Sequence, residues 1–185
     1  MSLDLEDIGG ESCEPVAGLA ANAYIALRSD FDALNDPPGI CSSGAGADLE
    51  SVATIGVDHT FLASKGFVKV KCIPETGNIQ TTLLGERRRR LFQNQLVVEI
   101  EGSEAKTLGF LRNIKNADLV ILVEEFGSGR IRQFGSDRLA AWIEGVDSLI
   151  EAAVEGKNSA TITFLDKQKY PAPVYTGVIT EKPVV

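Results

Sequence analysis

Five consecutive apolar residues, at positions 119–123, constrain the fold more than any other feature of the chain. A run of this length, rich in branched side chains and without polar alternation, is typical of a β-strand that is buried on both faces. The glycines and serine at 127–129 then predict a tight turn into residues 130–134, where charged and apolar residues alternate as in a half-exposed strand. We therefore expect residues 118–125 to form the central strand of a sheet, paired with the strand that follows.

A short amphipathic helix is predicted just before this central strand. Leu108, Leu111 and Ile114, with Phe110 beside them, form an apolar stripe at helical spacing. Ser103 is the expected N-cap, because its hydroxyl can accept a hydrogen bond from an N–H of the first turn. The helix should therefore cover one side of the sheet.

Strands account for most of the remaining pattern. Alternating or branched residues predict strands at 19–27, 52–57, 66–73, 79–84, 96–101, 159–165 and 174–179. Most of the connections between them are turn-like. This arrangement predicts a mainly β protein, a mostly antiparallel β-sandwich or barrel with one flanking α-helix.

Residues 137–154 allow two interpretations. The apolar residues that recur there at helical spacing are Leu139, Trp142, Ile143, Val146, Leu149, Ile150 and Ala153. With Ser136 as a cap, this spacing predicts a second amphipathic helix. Gly145 weakens the helical interpretation, and a strand remains the alternative.

Length and charge bound the organisation of the chain. A chain of 185 residues is expected to form a single domain, here at 15–180, with a long Pro/Gly-rich loop at 30–48 and a C-terminal tail at 181–185. Residues 1–14 form an acidic arm with no Lys or Arg, which is expected either to be mobile or to order only against a neighbouring copy of the chain.

The net charge of −8 argues against a protein that wraps nucleic acid or lies on an anionic membrane. It does not argue against a surface that DNA slides past. No apolar run approaches the ~18 residues that span a bilayer, and the N-terminus lacks the pattern of a secretory signal. We therefore expect no membrane anchor.

The sequence contains no recognisable catalytic or metal-binding motif. His59 is the only histidine, and beside Asp58 it is interpreted as a structural or surface residue. Cys13, Cys41 and Cys72 are widely spaced and are interpreted as free thiols in a reducing compartment. We expect no enzymatic activity, no cofactor and no metal site.

The run Arg87-Arg88-Arg89-Arg90 is the most conspicuous local feature, and it lies between two predicted strands. Four interpretations stay open: a solvated loop, a contact with acidic groups of another copy, a contact with DNA or RNA, and a nuclear localisation signal. The functional interpretation that we favour is the contact between copies, because guanidinium–carboxylate pairs are directional. The candidate subunit-interface residues are Arg87, Arg88, Arg89, Arg90, Asp4, Glu6, Asp7, Asp36 and Asp48.

The layout of residues 18–179 resembles that of tail tube proteins of long-tailed bacteriophages. The features that carry the resemblance are the strand at 19–27 with the long loop after it, the strand at 66–73 (GFVKVKCI), the helix at 104–113 between two strands, the paired strands 118–125 and 130–134, the strand at 159–165 and the Pro-Ala-Pro-Val-Tyr turn at 171–175. The resemblance implies a β-sandwich whose copies join their sheets into a ring, commonly a hexamer. Rings then stack into a hollow tube, bridged by loops and terminal arms.

The same resemblance implies a structural virion protein of the tail, made in the host cytoplasm, with no catalytic residues. Its partners would be other copies of itself and other tail or virion proteins, with DNA only as cargo in an acidic lumen. One alternative is another ring-forming virion protein, such as a tail terminator, neck or baseplate component. The other is a non-viral cytosolic β-sandwich that binds a small ligand or a protein.

Overall fold

The computed structural model describes residues 19–40, 48–102, 104–125, 127–152 and 156–183. In chain order the elements are β1 (Leu19–Leu27), β2 (Phe31–Ala33), β3 (Thr54–Ile55), β4 (Thr60–Phe61), β5 (Val68–Lys71), β6 (Asn78–Leu84), β7 (Leu91–Glu101), α1 (Ala105–Ile114), β8 (Leu119–Glu125), β9 (Ile131–Phe134), β10 (Trp142–Ile150), β11 (Asn158–Gln168) and β12 (Val174–Tyr175).

The strands form three sheets. The six-stranded sheet has the order β3-β12-β9-β8-β1-β5, the four-stranded sheet has the order β10-β11-β7-β6, and β2 pairs with β4. Among the described strands only β12 and β3 pair in parallel. The prediction of a mainly antiparallel β-fold with one helix is therefore confirmed, in the form of open sheets rather than a closed barrel.

The predicted central strand lies at the centre. In β8, the five residues Leu119, Val120, Ile121, Leu122 and Val123 are all buried. Ile121 and Val123 contribute to the core between the two large sheets, whereas Val120 and Leu122 contribute to a second core on the opposite face. Burial on both faces explains why the sequence of this strand does not alternate.

The inter-sheet core is built by the inner faces of the two large sheets together with α1. Leu96 on β7 lies opposite Phe164 on β11, and Val98 lies opposite Ile162. All four side chains are buried. The helix adds Ile114, and Phe110 and Leu111 pack against the same core, whereas Leu108 of the predicted stripe is exposed.

The second core is aromatic. Phe31 contacts Phe61 and Phe67, with ring centroids 4.3 and 5.6 Å apart. Tyr175 stacks on His59 at 4.5 Å and an interplanar angle of 10°. This core holds the small β2–β4 sheet against the six-stranded sheet.

Of the two interpretations of residues 137–154, the helix is wrong and the strand is confirmed, because Trp142–Ile150 is a strand that pairs with β11 over its whole length. A register shift lies between Ile143 and Gly145, which is the mark of a β-bulge. The extra residue places Ile143 opposite Phe164 and Val146 opposite Ile162, on one face. Because of the bulge, Ile143 and Val146 share a face although they are three residues apart, where a regular strand would have a spacing of two. A spacing of three is typical of a helix, which explains the incorrect interpretation.

Several predicted boundaries also shift. Strand β2 lies inside the segment 30–48 that was predicted as a loop, and residues 41–47 lie outside the described part. The strands predicted at 52–57 and 174–179 shorten to two residues each, whereas β7 begins at Leu91 rather than at 96. Ser103 is also outside the described residues, and Glu104 takes the N-cap position without a capping hydrogen bond from its side chain. Strand length follows the available partner strand, which local patterning does not reveal.

Candidate assembly surface

The outer strands of the four-stranded sheet, β6 and β10, have no neighbour on their outer side among the described strands. Strand β6 is seven residues long and contains no charged residue, glycine or proline. Strand β10 is nine residues long and contains no lysine or proline, but it carries Glu144, Asp147 and the bulge before Gly145, so its edge is more protected than that of β6. Both edges therefore present rows of backbone N–H and C=O groups that are free to pair with another strand.

The edges of the six-stranded sheet are different. One edge is β3, which is only two residues long. The other is β5, whose four residues include Lys69 and Lys71. The segment that follows β12 also covers one end of β5, since the N–H of Phe67 donates to Thr180 O at 2.9 Å and the N–H of Lys182 donates to Phe67 O at 2.9 Å. Short strands, lysines and a covering segment are the usual protections of a sheet edge.

Apolar side chains accompany the open edges. On β10, Val146 is 39% exposed and Ile150 is 65% exposed. On β6, Leu83 is 53% exposed. Val146 lies opposite Ile162, which belongs to the inter-sheet core. Leu83 lies opposite Phe92, which is on the same face of β7 as the core residue Leu96. Both side chains are therefore on the face that carries the inter-sheet core. Exposed apolar groups at an unpaired edge are typical of a surface that another chain covers.

The four arginines lie at the tip of the β6–β7 hairpin. The last pair of the hairpin is Leu84 with Leu91, so Arg87–Arg90 are outside the ladder and all four are exposed. The turn is defined by Gly85 and Arg88, which have positive φ angles of 92° and 75°, and by an N–H of Arg89 that donates to Glu86 O at 3.0 Å. The ion pairs of the described residues involve Arg28, Lys65, Arg132 and Lys157, and none involves the tip.

The predicted acidic partners are not gathered at this tip. Asp4, Glu6 and Asp7 lie outside the described residues. Burial raises the pKa of Asp36, which accepts a hydrogen bond from Tyr170. Asp48 accepts the N–H of Ser51 at 2.7 Å, and the hydrogen bonds from the backbone and hydroxyl of Ser51 lower its pKa. Within one subunit, Asp36 and Asp48 therefore have local structural roles.

Sequence reasoning missed a buried polar group around His59. Its Nε2 lies 2.8 Å from Gln133 Oε1, and its Nδ1 lies 3.2 Å from the backbone nitrogen of Asn35. Both ring nitrogens therefore have hydrogen-bond partners within the chain. The structural interpretation of this lone histidine is thus the one that the geometry supports, and no local pattern pointed to its partners.

A second buried polar group surrounds Asp166 at the end of β11. One carboxylate oxygen accepts the N–H of Gly135 at 2.7 Å, and the other accepts the amide N–H of Asn94 at 2.8 Å. Asn94 in turn accepts from the N–H of Ala172 at 3.1 Å. Burial raises the pKa of Asp166 to about 6. These bonds tie the two sheets together at one end of the sandwich.

A cleft of about 800 Å³ lies beside the end of β1. Arg28 and Asp137 form an ion pair in its wall, and Arg138, Asp118 and Trp142 line it as well. Leu27, Ala117, Leu139 and Ala140 complete its apolar part, so the lining is about half apolar and half polar or charged.

The remaining chemical candidates add no site. Among the described residues, no group of three or more His, Cys, Asp or Glu side chains could hold a metal ion, and no helix is long and apolar enough to cross a bilayer. Cys72 is a free, half-buried thiol whose pKa burial raises to about 11; Cys13 and Cys41 are outside the described part. Comparisons of the chain with protein-family models, curated proteins and solved structures give no match.

Proposed function

We propose that this protein is a structural subunit that self-assembles into a ring by pairing β10 of one copy with β6 of the next, and that rings stack into a tube of the bacteriophage tail type. The observation that supports this proposal is a pair of long edges on one sheet, β6 and β10, neither of which has an outer neighbour among the described strands. A sheet of four strands with both edges open is an aggregation hazard in a monomer. In a ring, each open edge pairs with a neighbouring copy.

The identity of the two edges supports a ring rather than a two-fold dimer. Because β6 and β10 are different strands, a contact between them is heterologous, and each copy keeps one free edge after the contact forms. Repeated contacts of this kind close into a ring when the rotation between copies allows it.

The outer face of the four-stranded sheet suits the wall of a lumen. Its uncharged polar side chains are Asn78, Gln80, Thr82, Gln93, Gln95, Ser159, Thr161 and Thr163, and apolar side chains such as Leu84, Val97 and Leu165 lie between them. Neither hydrophobic core includes a residue of this face. Its charged members are Glu99, Glu101, Asp147 and Lys167, so the face has an acidic balance. Such a wall would not hold the phosphate backbone of DNA during passage.

In this proposal the arginine tip makes the contact between successive rings, with acidic residues of another copy as its partner. The protein would then be a virion component of the tail, made in the host cytoplasm, whose partners are copies of itself and other tail proteins. A tail terminator, neck or baseplate component would use the same edges but form a single ring.

Electron microscopy of negatively stained protein at high concentration, with light scattering beside it, tests the proposal. We expect rings, and stacks of rings at the highest concentrations. The variant V146K/I150K places lysines on the β10 edge, and Q80K/L83K places them on the β6 edge, so each should be monomeric. An equimolar mixture of the two variants should form dimers and nothing larger, since each variant retains one competent edge.

The variant L108K is the matched control, because Leu108 is an exposed leucine on α1 and belongs to neither edge strand. It should assemble like the unaltered protein. Unaltered protein that stays monomeric at every concentration, or edge variants that form normal rings, would contradict the proposal. Single rings that never stack would retain the edge pairing but reassign the protein to the single-ring class.

A further inference from the structure

His59 connects four parts of the chain that are distant in sequence. Its Nδ1 lies 3.2 Å from the backbone nitrogen of Asn35, and its Nε2 lies 2.8 Å from Gln133 Oε1 on β9. Its own backbone N–H donates to the hydroxyl of Tyr175 at 3.2 Å, and that hydroxyl donates to Val178 O at 3.0 Å. The ring is buried and stacks on Tyr175. The imidazole thus joins the segment after β2 to β9 and β12, and the backbone N–H of His59 reaches the residues that follow β12 through the Tyr175 hydroxyl.

These contacts assign the tautomer of the ring. A backbone N–H can only donate, so Nδ1 must accept the hydrogen bond from Asn35 and cannot carry a proton. Nε2 therefore carries the proton and donates to Gln133. The neutral ring satisfies both contacts at once. A second proton on Nδ1 would point at the N–H of Asn35, with two donors 3.2 Å apart and no acceptor between them.

The neutral ring is also the form that the surroundings stabilise. Burial lowers the pKa of His59, and this outweighs the opposite effects of the Gln133 hydrogen bond and the Asp58 charge. The Asp58 carboxylate is partly engaged, because its Oδ1 accepts the N–H of Val178 at 2.8 Å. The remaining groups around the ring, Phe31, Phe67 and Tyr175, carry no charge at neutral pH.

We infer that His59 is a proton-sensitive latch, which holds the segment from Leu34 to Asp36 against the six-stranded sheet when neutral and loosens it when protonated. Protonation removes the hydrogen bond to Asn35 and places a charge beside the second core. Two further contacts of Asn35 depend on the position that His59 gives it. The side-chain amide of Asn35 donates to Asp58 O at 2.8 Å, and its backbone carbonyl lies 3.5 Å from the Gln133 side-chain nitrogen. Both contacts weaken when the ring is protonated. The inference does not depend on self-assembly, since every group in the latch belongs to one chain.

Other acids nearby act in the opposite direction, which makes the latch measurable. Burial raises the pKa of both Asp36 and Asp166. Acidification neutralises these carboxylates and removes the free-energy cost of keeping a charge buried. Their protonation tightens the folded state. His59 has a lowered pKa, so the stability that it contributes is present above its unfolded value and is lost as the pH falls through its folded value. Glu125, which pairs with Arg132 on β9, and Asp48 have a lowered pKa and also lose stability on acidification. A variant without the histidine is therefore needed to assign the loosening of this segment to His59.

Hydrogen exchange read by mass spectrometry tests the latch on the full chain. After correction for the intrinsic pH dependence of exchange, peptides that cover residues 31–40 should exchange roughly tenfold faster at pH 5 than at pH 7, as expected for the loss of one buried hydrogen bond. The central strand β8 is the internal reference, and its exchange should change much less.

Two variants separate the latch from general acid sensitivity. Gln133→Glu places a carboxylate at Nε2, which favours the charged ring, so the onset of loosening should move to higher pH. His59→Asn keeps a side-chain acceptor near Nδ1 but cannot titrate, so the pH dependence of this segment should disappear. Equal exchange at pH 5 and pH 7 in the unaltered protein, a Gln133→Glu onset that does not move, or an acid response that persists in a folded His59→Asn variant would each overturn the inference.

Discussion

Single buried side chains decide how this protein responds to pH. Asp166 is almost fully buried, yet its carboxylate has hydrogen-bond donors on both oxygens, from Gly135 and from Asn94. Burial raises the pKa of the carboxyl group to about 6 despite these donors. Desolvation therefore outweighs hydrogen bonding at this residue.

The substitution Asp166→Asn should remove the contribution that this carboxyl group makes to the pH dependence of the free energy of unfolding. A raised folded-state pKa means that the contribution of Asp166 is fully present below its unfolded value of 3.8 and is lost as the pH rises through about 6. The free energy of unfolding of each protein is measured with urea at both pH values. The unaltered protein minus the variant should give a larger difference at pH 4.5 than at pH 7.5. The upper bound of this difference is about 3 kcal/mol for a shift of about two units.

Taking the difference between the two proteins cancels the titration of His59, which both retain. The variant itself should be less stable at both pH values. Its side-chain NH₂ group replaces one carboxylate oxygen and then faces an N–H donor, from Gly135 or Asn94, that this oxygen accepted. A difference that is constant between the two pH values would mean that Asp166 does not titrate in this range.

At the scale of elements, helix α1 shows how the surrounding structure decides which apolar residues are buried. Helix α1 has apolar residues along its length, but Ile114 at its C-terminal end is 3% exposed, whereas Leu108 is 52% exposed. The helix thus contacts the inter-sheet core with its last turn and with Phe110 and Leu111. Its attachment depends on few side chains.

The pair of substitutions Ile114→Ala and Leu108→Ala should separate these two roles. Removing the buried side chain should lower the free energy of unfolding by about 2–4 kcal/mol, because a cavity is left in the core. Removing the exposed one should change it by less than about 0.5 kcal/mol. Urea unfolding followed by circular dichroism provides the measurement, and similar losses in both variants would show that α1 is held differently.

At the scale of the whole molecule, charge is segregated along the chain. The first 14 residues carry five of the 26 acidic residues and no base, so the other residues have 21 acids against 18 bases and a net charge of −3. Four of those bases form the exposed tip of the β6–β7 hairpin. A molecule with one basic projection and one acidic segment is suited to contacts between copies.

The variant in which Arg87, Arg88, Arg89 and Arg90 are all replaced by glutamine should form rings that no longer stack. Stacking of the unaltered protein should weaken as the NaCl concentration rises, because exposed ion pairs are screened by salt. Sedimentation velocity at low and high NaCl, with electron microscopy of the same samples, measures both effects.

The control variant K106Q/R112Q/K115Q/R130Q removes the same number of exposed positive charges elsewhere. It should stack normally. Stacking and salt dependence that survive in the arginine variant would contradict the role of the tip, while the edge-pairing proposal would remain open to its own test. Binding of a DNA duplex that disappears only in the arginine variant would instead assign the tip to nucleic acid.

Much of the fold could be predicted because the relevant signals are local. The continuous apolar run of β8 reflects burial on both faces, and the apolar stripe of α1 correctly indicated a helix, although only its last turn is buried. The prediction of a half-exposed strand at 130–134 is wrong in its exposure, because β9 lies between β8 and β12 and both Gln133 and Phe134 are buried. The strand at 142–150 could not be predicted with the same ease. Its bulge between Ile143 and Gly145 changes the spacing of buried residues, and only the partner strand β11 reveals the register.

The candidate surface divides in the same way. The exposure of the arginine run follows from its charge and its place between two strands, and both are visible in the sequence. Which strands are edges follows from the order of strands in each sheet, and neighbours in that order are often far apart in the chain. The partners of His59, at Asn35 and Gln133, are separated from it by 24 and 74 residues, so no local pattern connects them.

The sequence by itself determined a mainly antiparallel β-fold with one helix, a strand buried on both faces, and a segregation of acidic and basic residues. These properties depend on the period and composition of contiguous residues, which the chain carries before it folds. Only the tertiary structure decided that β6 and β10 are open edges, that residues 142–150 are a strand, and that His59 and Asp166 are buried among specific partners. The physical reason is that edge pairing, register and desolvation arise from contacts between segments distant in sequence, and these contacts exist only once the sheets have assembled.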